Sequence, residues 1–195
     1  MGSEEKTLQA GITYGEYREL ANKSLETGDI RGGAGMRDYV ELNNRRMDRA
    51  EKTVKIGEDL AEAVENMTES HTMIVLSEAW CGDASQSVPV LAKIGELSDK
   101  LKTRILFRDD NLDLMDRYLT NGGRAIPKAI FVRDSDGAEV ASWGPRPEEP
   151  QAIVKAWKEA GGENKDKMIA DVQKWYAKDR GNSIQKEIKE VVKGL

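Results

Sequence analysis

The chain has 195 residues, 33% of them charged and 38% hydrophobic, and a net charge of −5. That length suits one domain with one core. No apolar run approaches the ~18 residues of a membrane-spanning helix, and the net negative charge supplies no field for nucleic acid or an anionic membrane.

One cysteine, Cys81, excludes an intramolecular disulfide, a CxxC dithiol and a cysteine zinc cage. One histidine, His71, leaves little for a histidine metal site or a Ser-His-Asp triad. Met1-Gly2-Ser3-Glu4-Glu5-Lys6 is polar and does not read as a secretory leader, so a cytoplasmic location is expected.

In chain order, residues 13–27 predict a helix. Thr13 can cap it, Glu16 stands three residues on, and Tyr14, Tyr17, Ala21, Ser24 and Leu25 share a face. Arg31-Gly32-Gly33-Ala34-Gly35 reads as a solvated hinge, since no Lys-Ser/Thr follows to make a phosphate loop. A second helix is predicted over 36–51.

From Thr53 the pattern alternates. Val54-Lys55-Ile56 predicts a short strand and 58–68 a helix. Met73-Ile74-Val75-Leu76 is a continuous apolar run, the pattern of a strand buried on both faces. Residues 84–101 predict a helix kinked at Pro89, residues 104–107 a strand and 111–120 a short helix. Residues 129–132 and 139–143 flank Asp134-Ser135-Asp136-Gly137 as a hairpin. A helix to about Ala160 follows, then two amphipathic stripes over 164–192 divided at Gly181-Asn182. The order predicts an α/β fold with a central mixed sheet flanked by helices. Residues 1–52 form a helical extension, 53–160 the sheet domain and 161–195 a helical tail packed on it.

Cys81 falls between the buried strand and the helix that starts near Ala84. Backbone N–H groups and the helix dipole there favour a thiolate, so an accessible thiol with a pKa below the free value of about 8.5 is expected. Asp83, two residues away, pushes the other way; alternatively it hydrogen-bonds a substrate or relays a proton.

Trp80-Cys81-Gly82-Asp83-Ala84 after an apolar strand, Pro89 in the next helix and Ile126-Pro127 before a late strand resemble the thioredoxin superfamily. More narrowly, with Asn121-Gly122-Gly123 and Trp143-Gly144-Pro145-Arg146-Pro147, the chain resembles a bacterial thioredoxin-like family with one active-site cysteine. The resemblance implies that Cys81 attacks, that Trp80 and Gly82 flank the site and that Pro127 is the cis-proline facing the thiol. It also implies that Ile126 offers a backbone edge to an extended substrate. Ala84 stands where the resolving cysteine would be and Val75 near a buried aspartate, so a dithiol cycle cannot close within the chain.

Catalytic roles are thus expected for Cys81 and Asp83. Substrate contacts are expected for Trp80, Gly82, Ile126, Pro127 and Arg124, the last with an anionic group such as a glutathione carboxylate. No metal, cofactor, nucleic acid or membrane is expected. The partner expected is a protein or a low-molecular-weight, glutathione-like thiol or disulfide. The leading reading is monothiol thiol-disulfide chemistry. The alternatives are a non-enzymatic peptide-binding module and a cysteine redox sensor. His71 is expected in solvent, and Asp109, Asp110, Asp113 and Asp116 as a solvated acidic face.

Overall fold

The computed structural model describes residues 11–195; the reading of the N-terminal segment as no leader falls on residues 1–10, outside the described residues. Two helices come first, α1 (Tyr14–Thr27) and α2 (Arg37–Thr53). Thr13 and Glu16 close a reciprocal capping box on α1, and left-handed Gly28 ends it. Helix α3 (Glu58–Glu65), strand β1 (His71–Ser77), helix α4 (Ala84–Gly95) and strand β2 (Leu101–Phe107) follow. The short α5 (Leu112–Met115) precedes the hairpin β3 (Lys128–Arg133) and β4 (Glu139–Trp143). Helices α6 (Glu148–Glu159), α7 (Lys165–Asp179) and α8 (Asn182–Val192) complete the chain.

The sheet order is β2-β1-β3-β4, with β1 parallel to β2 and the other pairs antiparallel. Strand β1 is central, and Met73, Ile74, Val75 and Leu76 are wholly buried. That explains an apolar run with no alternation.

Three readings of the sequence change. Val54-Lys55-Ile56 is not a strand. The Gln185 side chain of α8 satisfies this segment instead, donating to the Lys55 carbonyl at 3.1 Å and accepting from Gly57 N–H at 2.8 Å. The β2 edge is met by Ile12, which exchanges two backbone hydrogen bonds with Ile105. The helix predicted to 101 stops at Gly95, where a Cβ would lie 2.1 Å from Thr103 Oγ1, so the glycine lets β2 pass close against the helix end. His71 is buried at the start of β1, with Nδ1 3.2 Å from the Glu69 carbonyl.

The bonds Ile126–Pro127 and Gly144–Pro145 are cis. Gly144, at φ +109°, ends β4 against the proline segment, and a Cβ there would lie 2.4 Å from the Pro127 oxygen. Gly144→Ala is therefore expected to lower stability by at least roughly 1–3 kcal/mol, combining backbone strain with overpacking. A urea midpoint equal to wild type would contradict this close approach.

Candidate functional site

The loop between β1 and α4 is held from both ends of the chain. The buried Glu78 carboxylate receives Arg31 at 3.1 Å and Asp109 N–H at 3.1 Å. Arg31 also pairs with Asp110 at 2.9 Å and lies 4.0 Å over the Phe107 ring. Gly32 sits so close to Trp80 that a Cβ would approach its Nε1 to 2.9 Å. The segment expected as a solvated hinge is thus in part a seat for the site loop. Asn43 of α2 donates to the Ala79 carbonyl at 2.9 Å.

Within the loop, Cys81 N–H donates to the Glu78 carbonyl at 3.0 Å, and Ser85 N–H to the Cys81 carbonyl at 3.1 Å. These turns deliver Cys81 to the start of α4 with its thiol donating to the Ile126 carbonyl at 3.3 Å. Cys81, Asp83, Ile126 and Pro127 are therefore brought together, and all four are buried. Half-buried Trp80 flanks them, with the Arg108 guanidinium 4.9 Å over its ring.

The thiol does not match the accessible, activated cysteine expected from sequence. Cys81 is 9% exposed. The N–H groups of Ala84 and Asp83 and the Arg146 charge do favour the thiolate, as the helix start requires. Burial outweighs them, the Asp83 carboxylate adds to burial, and the thiol is pushed up to about 12. Sequence pattern locates the helix start but carries no measure of desolvation.

Asp83 is buried too. Its Oδ2 pairs with Arg146 Nη2 at 2.7 Å, and burial still raises its pKa against that pairing. Arg146 is held in turn by Gln151 at 3.1 Å. The Tyr176 hydroxyl of α7 lies beside Asp83 and Ser87 without hydrogen-bond geometry to either. Asp83 Oδ1, Ser87 Oγ, Tyr176 Oη and Arg146 Nε are all buried without a protein partner. This is a concentration of unpaired polar atoms beside one thiol.

Gly82 is covered by both extensions. Gln173 of α7 donates to its carbonyl at 3.2 Å, and a Cβ on Gly82 would stand 3.5 Å from Arg46 Nη1 of α2. Arg124 is not free for an anion as expected: its guanidinium grips Asp116 through two bonds of 2.6 and 2.7 Å at the surface. Among residues that the sequence does not assign to the site, Arg146 lies within the quoted Trp143–Pro147 motif. Tyr176 belongs to a stripe that reads as tail packing. Glu78, Arg46 and Gln173 carry no local signal. Among the described residues, no group of three or more His, Cys, Asp or Glu could hold a metal ion. No helix among them is long and apolar enough to cross a membrane.

Comparison with known proteins agrees with this fold. A family model described as thioredoxin matches residues 34–158, most of the chain. A protein of unknown function from Pseudomonas aeruginosa, known from a crystal structure, is 19% identical with a TM-score of 0.55. That match covers 89% of this chain and 96% of the other. An HIV epitope-scaffold is 17% identical with a TM-score of 0.52, covering 86% of this chain and 93% of the other. Both show the fold. No curated protein matches the chain. The chain belongs to the thioredoxin family.

Proposed function

We propose that this thioredoxin-family chain is a monothiol redox protein, resembling the bacterial single-cysteine, Trp-Cys-Gly-Asp-Ala type, with residues 53–160 as its thioredoxin-like unit and two helical extensions completing the site. The observation that supports it is the single thiol set against the Ile126 carbonyl at the head of α4, with Ala84 at the resolving position. The Cys81 proton leaves for Asp83 or solvent. The thiolate then attacks a partner disulfide, one sulfur of that disulfide joins Cys81, and the other departs as a thiolate. A second external thiol, protein or glutathione-like, resolves the mixed disulfide. Trp80, Gly82, Ile126 and Pro127 flank the exchanging sulfur.

The buried, neutral thiol favours a second reading, a peptide-binding module that uses the Ile126 edge without chemistry. A sensor role needs the same thiolate as exchange. Incubation with glutathione disulfide separates these readings. The monothiol reading expects one glutathione per chain by intact mass, none on Cys81→Ser, and no sustained insulin reduction. A folded protein that takes up no glutathione between pH 7 and 9 would leave the binding module.

A further inference from the structure

A separate cavity of about 340 Å³ lies between the C-terminal ends of α2 and α7. Ala50, Val54, Ala177 and the Tyr176 side chain supply its apolar walls, and Arg49 and Arg180 stand in its lining. Neither arginine has a carboxylate partner within ion-pair distance among the described residues. A third guanidinium, Arg46, is close enough to Arg49 for their charges to repel. The acid whose charge acts on Arg46 is Asp83, and that carboxylate is already engaged by Arg146.

The helix ends do not balance this charge. Each C-terminus contributes roughly half a negative charge, so two ends offset about one of the two lining arginines. In a chain of net charge −5, two guanidiniums without a carboxylate partner therefore share the lining of one cavity. Guanidiniums bind oxyanions through forked donors. The apolar walls and the volume, at the small end of ligand cavities, add room for a compact organic body.

We propose that this cavity binds a small organic oxyanion, a phosphate monoester or carboxylate on a compact apolar body, with Arg49 and Arg180 taking the charged group. The cavity shares Tyr176 with the surroundings of Cys81, but its test involves no thiol chemistry, so it stands or falls apart from the monothiol reading.

Calorimetric titration of the full chain with phenyl phosphate, benzoate, inorganic phosphate and uncharged benzyl alcohol tests it. Phenyl phosphate or benzoate, or both, should bind, whichever wins naming the headgroup, and benzyl alcohol should not. Loss of charge-assisted hydrogen bonds in Arg49→Ala/Arg180→Ala should weaken that binding roughly tenfold or more. Both side chains are exposed, so the double variant should keep the wild-type thermal melt. The proposal is overturned if neither organic anion binds at millimolar concentration, or if the double variant binds as tightly as wild type. Benzyl alcohol binding equally well overturns the charge requirement, and inorganic phosphate doing so overturns the organic body.

Discussion

Arg146→Met should destabilise the protein by about 3–5 kcal/mol at pH 7, the cost of leaving a buried charge without its partner. Arg146 and Asp83 side chains are 19% and 12% exposed, and their contact is 2.7 Å. The loss should depend on pH in a direction that identifies Asp83 as its source. Burial already raises the folded-state pKa of Asp83 above its ordinary value of 3.8, and removing Arg146 raises it further. A group raised on folding contributes most below its unfolded pKa and loses that contribution as pH rises through the folded one. The penalty of Arg146→Met should therefore be small near pH 4 and grow toward pH 7. Adding Asp83→Asn should recover most of it, since no buried charge then remains. Urea unfolding of wild type, the single variant and the double variant at the two pH values checks this. A penalty that is the same at both, or that Asp83→Asn does not relieve, would mean Arg146 acts by packing alone.

The parts of this molecule legible in the sequence are those governed by short-range pattern. The buried strand at Met73–Leu76, the hairpin at Asp134–Gly137 and the break at Gly181-Asn182 each follow from residues that are neighbours in the chain. The juxtaposition of Cys81 with Ile126 comes from resemblance, not from periodicity. What stays hidden is set at long range. Val54–Ile56 has strand composition, but Gln185, 130 positions from Lys55, takes its hydrogen bonds. Arg124 reads as available because no local rule shows that Asp116 folds back onto it. Asp83 is recognisable as the neighbour opposing the thiolate, while its arginine partner and the Tyr176 hydroxyl beside it depend on how the proline segment and the last helices close over the loop. Burial, which decides the charge of Cys81, is the property a linear pattern conveys least.

In the native protein Cys81 should react with iodoacetamide at pH 7.5 at least about a hundredfold more slowly than free cysteine, because a thiol near 12 holds roughly a thousandfold less thiolate than one at the ordinary 9.0. Denaturation should restore the ordinary rate. Asp83→Asn should act in the opposite sense to a loss of the helix start. It removes the carboxylate that raises the thiol pKa and frees the Arg146 charge, which lowers it. Native-state alkylation should then quicken by about tenfold or more. If the Asp83→Asn variant reacts more slowly instead, Asp83 accepts the thiol proton and its role in the exchange step is as a base. The same burial carries a stability signature. The thiol's folded value lies above its ordinary value of 9.0, so its contribution is complete below pH 9 and declines as pH rises toward 12. The rise from 9.0 to about 12 corresponds to ~4 kcal/mol at the far end of that window. Buried Tyr17 titrates high for the same reason, so the comparison must be with Cys81→Ser, which keeps the tyrosine. Wild type should lose stability relative to Cys81→Ser between pH 9 and 11; parallel pH profiles for the two would show that Cys81 is solvated in solution and free to exchange without any opening of the site.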